Sequence, residues 1–293
     1  MVKVSYEQKP YRKAMMEAFG AKCIASPSNQ TNVGKKILSE NPDSTGSLGI
    51  AISEAVERCV MSSNVKYALG SVLNHVLMHQ TTIGLDAQKQ LEKLDAKPDI
   101  IVGCTGGGSN FSGIALSFLG DSIINNDKLI LKAIETSVCP SLTKGKYAYD
   151  FGDTGQMTPL TKMHTLGFQF VPSGFHSGGL RYHGMAPLVS HLVNEGFIIT
   201  EAYNQTDIFK AGLLFARAEG IIPAPETNHA VKGAIESALD CKLKDEKKTI
   251  LFNLCGHVYF DMQAYIDYFD NKLFDHEYSD NEIAMALSGL PAV

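Results

Sequence analysis

The sequence predicts an α/β fold with a mainly parallel sheet and helices on both faces of that sheet. The first observation is that short apolar runs alternate with longer segments of helical spacing, a pattern typical of parallel sheets. The second is the apolar run 100–104, which leads through three glycines into a helix-like segment. The third is size, because 293 residues of which 44% are hydrophobic suffice for one large α/β domain or two smaller ones.

The first third of the chain is predicted to be mostly helical. Pro10 suits the first position of a helix over residues 9–19, and further helices are predicted over 31–38 and 48–59. Apolar residues recur at helical spacing from Val72 to Leu94, so we expect one long helix there.

Strands and helices alternate from residue 100 onwards. The predicted strands are 100–104, 128–135, 197–203 and 249–254. The predicted helices are 111–119, 187–195, 206–219 with Thr206 as its N-cap, 229–243 and 261–273. The segment 139–187 is rich in Gly, Pro, Thr and His and is too long for a simple connector, which favours a functional role.

Ligands in parallel sheets bind beyond the carboxyl ends of the strands. This rule predicts that three separated segments meet at one site: 105–110, about 223–228, and 253–257.

The turn Gly106-Gly107-Gly108-Ser109-Asn110 is the most informative motif of the chain. A buried strand, a glycine turn and a helix start form an anion cradle, because backbone N–H groups and the helix dipole favour negative charge there. Glycine lets the backbone approach a phosphate closely, and Ser109 and Asn110 are good N-caps. The alternative interpretation is a tight strand-to-helix turn that binds no ligand.

Composition argues against several classes of protein. A net charge of −5 without a basic block argues against nucleic-acid binding. No apolar run of about 18 residues suggests a membrane helix, and the first residues lack a signal core, so we expect a cytoplasmic protein. The six cysteines form no C-x-x-C pair, and no third ligand lies near His75 and His79, so we expect no metal site.

Several motifs together resemble tryptophan synthase β chains, and specifically their second, divergent group. The glycine turn resembles the loop that holds the phosphate of pyridoxal phosphate in that family. The standard group has an Asp where Arg181 stands, which makes the match to the divergent group more specific. The further matching stretches are 46–55, 70–76, 178–184, 220–226 and 252–257.

The resemblance implies the three-layer architecture of fold-type II pyridoxal-phosphate enzymes. It also implies a carbon–oxygen lyase that replaces the hydroxyl of L-serine by indole to give L-tryptophan. Residues 1–75 would be the remainder of an N-terminal domain, and residues 76–293 would bind the cofactor phosphate. The partners that the resemblance suggests are further copies of the chain in a homo-oligomer, a complementary N-terminal half, or a tryptophan synthase α chain.

The resemblance also assigns roles to individual residues. Gly106, Gly107, Gly108, Ser109 and Asn110 would hold the cofactor phosphate. Glu226 matches a glutamate near the pyridine ring, although it could simply cap its helix. Cys255 stands where many relatives have a serine facing the pyridine nitrogen, although it could be a small buried apolar residue. Arg181 and His183 are candidates for substrate contacts, or ordinary hydrogen-bonding loop residues.

The lysine that forms the Schiff base in this family is absent from the chain. No His-Lys dipeptide occurs, and nothing resembles the family's Glu-Thr-Gly-Ala-Gly-Gln-type carboxylate loop. The chain therefore resembles the C-terminal two thirds of such an enzyme, without a catalytic residue of its own, and we expect it to be inactive alone. Two alternatives stay open: another fold-type II lyase of the threonine dehydratase or cysteine synthase kind, and a non-catalytic binding module.

Overall fold

A four-stranded parallel sheet forms the centre of the protein in the computed structural model, which describes residues 1–293. The order of its strands is β5-β2-β1-β6, and β3 and β4 form a separate antiparallel pair. Ile100 of β1 lies opposite Ile130 of β2 and Ile250 of β6. The strands are β1 (Ile100–Cys104), β2 (Ile130–Thr136), β3 (Lys146–Phe151), β4 (Leu160–Thr165), β5 (Ile198–Tyr203) and β6 (Ile250–Phe252).

Twelve α-helices surround these strands, and none is long and apolar enough to cross a membrane. In chain order they are α1 (Lys3–Gln8), α2 (Pro10–Ala18), α3 (Asn32–Glu40), α4 (Leu48–Val60), α5 (Asn74–Gln80), α6 (Thr82–Lys93), α7 (Ser109–Asn125), α8 (Pro187–Asn194), α9 (Gln205–Glu219), α10 (Pro225–Leu243), α11 (Met262–Phe269) and α12 (Asp280–Leu287).

Helices cover both faces of the central sheet, as the sequence predicts. Alternate residues of a strand point to opposite faces, so each strand contributes to two cores. Ile101 and Leu131 pack with Phe111 of α7 on one face. Val102 packs with Cys241 of α10 on the other face. Every residue of β1 is buried, as expected for the inner strand of a parallel sheet.

The prediction of one long helix from Val72 to Leu94 is wrong. The structure has two helices there, α5 and α6, which are separated at Thr81. Thr81 donates both its N–H and its hydroxyl to the carbonyl of Met78, which ends the first helix with a tighter turn. The break also lets the Gln80 carbonyl approach Gly113 of α7, where an added Cβ would lie 2.8 Å from that oxygen. Tertiary packing therefore overrides the helical periodicity.

Two helices begin two or more residues earlier than predicted, and a third has a different N-cap. The helix predicted from residue 111 begins at Ser109, and the helix predicted from residue 229 begins at Pro225. Asn204, and not Thr206, occupies the N-cap position of α9. Pro225 at the first helical position supplies no N–H that would need a partner, so the helix can begin one turn earlier.

The long segment 139–187 contains a hairpin that the sequence analysis missed. Strands β3 and β4 pair from Lys146 opposite Thr165 to Phe151 opposite Leu160. The alternating aromatic residues of the run Lys146–Phe151 are the signal that could have revealed it.

Candidate functional site

A cleft of about 630 Å³ lies beyond the carboxyl ends of β1 and β6. The three segments expected to meet there do so. The Ala224 N–H donates to the Gly256 carbonyl at 2.9 Å, and the Asn253 side-chain amide donates to Asn110 Oδ1 at 2.8 Å. The lining residues come from six short stretches: Arg12 and Met15, Gly70 and Ser71, Cys104 and 106–110, Gly179 and Leu180, Ala224 and Glu226, and 255–257 with Phe260.

The glycine turn presents a row of unpaired backbone N–H groups. None of the N–H groups of residues 106–111 donates a hydrogen bond to an acceptor in the protein, although residues 106–109 are buried. The first N–H groups of α7 have no intrahelical partner because they belong to its first turn. Buried amides normally find an acceptor, so this row points to a negatively charged ligand.

Packing also requires glycine in this turn. A Cβ on Gly106 would lie 2.2 Å from the Gly179 carbonyl oxygen, and a Cβ on Gly107 would lie 2.3 Å from Ser71 Oγ. Gly108 has φ +104°, a conformation that other residues rarely adopt. These contacts alone would suit a turn without a ligand, but they leave the amides without partners.

Ser109 and Asn110 do not cap α7, which corrects the prediction that both suit the N-cap. Gly108 takes that position through its positive φ, and both residues lie inside the first turn. The Asn110 amide donates to the Cys104 carbonyl at 2.9 Å, so it ties the turn back to the end of β1. The Ser109 hydroxyl lines the cleft and is available to a ligand.

Glu226 lies in the first turn of α10 and lines the cleft. Its Oε1 accepts a hydrogen bond from the Gly179 N–H at 2.9 Å and lies 3.6 Å from Lys9 Nζ. The carboxylate therefore holds the loop around Gly179 (below, the 179 loop) against the cleft. It forms no capping hydrogen bond to its own helix, α10.

Cys255 is exposed and lines the cleft, so it is not an enclosed apolar residue. Its Sγ lies 3.5 Å from Cys104 Sγ and 3.2 Å from Thr227 Oγ1. The hydrogen bond from Cys104 lowers the pKa of the Cys255 thiol, against the opposing effect of burial. The same contact, together with burial, raises the pKa of Cys104.

Arg181 and His183 are buried, and neither of them lines the cleft. Arg181 Nη2 donates to Ser5 Oγ at 2.5 Å, and burial lowers the pKa of its guanidinium. His183 Nε2 lies 2.9 Å from the Phe151 carbonyl oxygen. This placement favours ordinary structural hydrogen bonds over the predicted substrate contacts.

The sequence did not indicate the part of the site that α2 supplies. Arg12 and Met15 of α2 line the cleft, and so does Phe260. Arg12 is held by Asp261, which is 249 residues away, so no local pattern could have indicated it. No lysine lines the cleft, and no group of three His, Cys, Asp or Glu side chains could hold a metal ion.

His229 lies one turn after Glu226 on α10, and its burial leads us to expect that the stability of the protein depends on pH. The residue is fully buried, its Nε2 has no partner, and burial lowers its pKa to about 4, although its contact with the Pro225 carbonyl opposes this. In the unfolded chain, the His229 imidazole takes up a proton below its ordinary pKa of about 6.5, whereas the folded chain keeps it neutral down to about pH 4. The free energy of unfolding should therefore fall as the pH drops from about 6.5 to 4, by up to roughly 3 kcal/mol.

Urea unfolding of the wild-type chain and of His229→Gln at several pH values checks this expectation. The difference in unfolding free energy between the two should be constant above pH 7 and should shrink towards pH 4. Glu135, whose pKa burial raises to about 7, titrates in both proteins and cancels in the difference. A difference that does not change with pH would contradict the burial of a neutral imidazole.

The geometry of the cleft fits a phosphate-bearing cofactor. The row of free N–H groups would donate hydrogen bonds to the phosphate at one end of the cleft. The Cys255 thiol and the Glu226 carboxylate line the same cleft and could face the rest of the molecule.

Comparison with known proteins agrees with this fit. A family model described as "Pyridoxal-phosphate dependent enzyme" matches residues 1–256. "Tryptophan synthase beta chain 2" of Aquifex aeolicus is 56% identical over 279 residues, covering 94% of this chain and 64% of the relative. The protein of the same name from Pyrococcus furiosus is 50% identical over 291 residues, covering 99% of this chain and 65% of the relative. The chain thus spans slightly less than two thirds of the length of these relatives.

Solved structures show the same fold at low sequence identity. Cysteine synthase from Entamoeba histolytica superposes with a TM-score of 0.58 at 18% identity, covering 94% of this chain and 65% of that one. A fungal L-serine ammonia-lyase from Rhizomucor miehei gives a TM-score of 0.56 at 15% identity, covering 76% of this chain and 65% of that one. With the family model matching most of its length, the chain belongs to the pyridoxal-phosphate dependent enzymes and has their fold-type II α/β architecture.

Proposed function

We propose that this chain is the cofactor-phosphate-binding part of an enzyme of the tryptophan synthase β type. Such an enzyme replaces the hydroxyl of L-serine by indole to give L-tryptophan and water. The observation that carries the proposal is the row of unpaired N–H groups at residues 106–111, buried at one end of the cleft. The names of the most similar relatives, at 50% to 56% identity, supply the choice of reaction.

The residues of the cleft would divide the binding of pyridoxal phosphate among them. The amides of the glycine turn and the Ser109 hydroxyl would hold the phosphate, because a doubly charged anion gains most from several charge-assisted hydrogen bonds. Glu226 would keep the 179 loop in place beside the ring through its bond to the Gly179 N–H.

Cys255 would face the pyridine nitrogen. When bound, pyridoxal phosphate supplies an electron sink, whose properties the protein tunes. A thiol is a weak donor and acceptor, so it would leave that nitrogen largely unprotonated, whereas a carboxylate would stabilise the protonated form. This choice would direct the chemistry towards replacement at the β carbon.

We further propose that residues 1–75 complete an N-terminal domain and that residues 76–293 form the phosphate-binding domain of a cytoplasmic protein. Exposed apolar side chains on α5 and α6, namely Met78, Ile83 and Leu85, suit association with another polypeptide. A complementary N-terminal segment, a second copy of the chain and an α chain are the candidates.

Activity measured with and without a complementary segment tests the proposed function. The chain alone should form no tryptophan from L-serine and indole, because no lysine lines its cleft. Adding the N-terminal segment of a relative, which carries the family's lysine, should restore tryptophan formation.

The same mixture distinguishes the alternative reactions. Release of a keto acid from threonine, or formation of cysteine from O-acetylserine and sulfide, would identify another fold-type II lyase. Binding of pyridoxal phosphate without any turnover would identify a binding module. Borohydride reduction of the chain alone should leave no cofactor attached to a lysine, and a labelled cleft lysine would contradict the expected inactivity.

A further inference from the structure

Two cysteine thiols approach each other at the edge of the cleft. Cys104 is the last residue of β1, and Cys255 follows the neighbouring strand β6. Their sulfur atoms lie 3.5 Å apart, about 1.5 Å more than in a disulfide bond. None of the other four cysteines contacts a second thiol, since Cys23, Cys59 and Cys139 bond elsewhere and Cys241 is enclosed in a core.

The two thiols differ in a way that suits stepwise oxidation. Both residues line the cleft, but Cys255 is exposed whereas Cys104 is buried. Cys255 also has the lowered pKa of the two, and the thiolate is the form that reacts with oxidants. Cys255 is therefore the thiol that an oxidant reaches first, with Cys104 placed to react second.

Both sulfur atoms also contact residues of the proposed cofactor site. The Asn110 amide donates to Cys104 Sγ at 3.3 Å, and this residue belongs to the glycine turn. Thr227, which follows Glu226 on α10, contacts Cys255 Sγ at 3.2 Å. A change at the sulfur pair thus reaches both the glycine turn and the first turn of α10.

We propose that Cys104 and Cys255 form a redox-active dithiol that a peroxide oxidises to a disulfide, and that this disulfide prevents cofactor binding. The second half rests on the proposed function, because it requires that pyridoxal phosphate occupies this cleft.

The oxidation proceeds in two balanced steps. The Cys255 thiolate attacks one oxygen of hydrogen peroxide, so an S–O bond forms, the O–O bond breaks, and the departing hydroxide takes up a proton to give water. The Cys104 sulfur then attacks the Cys255 sulfenic acid. An S–S bond forms, the S–O bond breaks, and the hydroxide leaves as a second water with the proton of Cys104. The two thiols lose two electrons, and the peroxide gains them.

Oxidation removes the groups that the cofactor site would use. The Cys255 thiol can no longer face the pyridine nitrogen, and Asn110 loses the thiol to which its amide donates. Bound cofactor would in turn cover Cys255 and protect it from peroxide. Cofactor binding and disulfide formation should therefore oppose each other.

The experiment combines peptide mapping with cofactor titration of the full chain. The reduced chain is treated with hydrogen peroxide, digested without reductant and analysed by mass spectrometry for a peptide pair linked through Cys104 and Cys255. Binding of pyridoxal phosphate is followed by fluorescence before oxidation, after it, and after addition of dithiothreitol. We expect the linked pair, at least a tenfold loss of affinity, and recovery on reduction.

Two variants make the result specific. Cys104→Ala should stop at the sulfenic acid of Cys255, which dimedone traps, and should give no linked pair. Cys59→Ser, which lies outside the cleft, should respond to peroxide as the unmodified chain does.

Absence of the linked pair would overturn the proposal, and so would a linked protein that binds the cofactor as well as before. If the reduced chain binds no pyridoxal phosphate, the proposed function fails and the blocking role fails with it. The linked pair would in that case still establish the dithiol.

Discussion

Replacing Gly107 with leucine should weaken binding of pyridoxal phosphate by at least about 100-fold. A Cβ at this position would lie 2.3 Å from Ser71 Oγ and 2.8 Å from Val72 Cγ1, so the turn must move. Displacing two amides that bind the phosphate removes two charge-assisted hydrogen bonds. At about 1.5 kcal/mol each, the loss is about 3 kcal/mol, or two orders of magnitude in affinity.

The matched control is Gly120→Leu in α7, the helix that follows the glycine turn. No atom lies within 4 Å of a Cβ at Gly120, and the position is exposed, so cofactor binding should not change. Circular dichroism and thermal unfolding establish that both variants fold, and a fluorescence titration measures the dissociation constants. Unchanged binding by a folded Gly107→Leu chain would exclude the glycine turn as the phosphate site.

The sequence predicts those parts of the site that depend on local patterns. The strand 100–104 and the glycine turn are contiguous, and their order alone indicates an anion cradle at the end of a parallel strand. The approach of the 223 and 253 segments follows from the same rule, because carboxyl ends of parallel strands share one edge.

Features that depend on distant contacts could not be predicted in this way. Arg12 reaches the cleft only because Asp261 holds it. The break at Thr81 brings the Gln80 carbonyl against Gly113, a contact between distant residues that no local sequence pattern indicates. The role of Arg181 stays a prediction: a motif shared with relatives suggests a ligand contact, and the structure adds a bond to Ser5 that no local pattern indicates.

Replacing Asp261 with asparagine should lower the free energy of unfolding by about 3 to 5 kcal/mol, the cost of removing one partner of a buried ion pair. The Asp261 side chain is 2% exposed, and its carboxylate bonds Arg12 through two contacts and Lys9 Nζ at 3.0 Å. No residue of helix α2 is fully buried, so we expect these ion pairs to contribute most to its attachment to the cleft. Urea unfolding measures the loss, and hydrogen exchange over residues 10–18 should show α2 opening first.

Two further variants test whether the loss of unfolding free energy comes from the buried charge and not from replacing any aspartate by asparagine. Asp270→Asn removes an exposed pair with Lys272 and should cost less than about 0.5 kcal/mol. The double variant Lys9→Met/Asp261→Asn should be more stable than Asp261→Asn alone, because it removes the lysine that the single substitution leaves without its nearest carboxylate. If Asp261→Asn unfolded like the wild type with equal protection of α2, the ion cluster would not be what closes this side of the cleft, and the helix would have to be held by its apolar contacts instead.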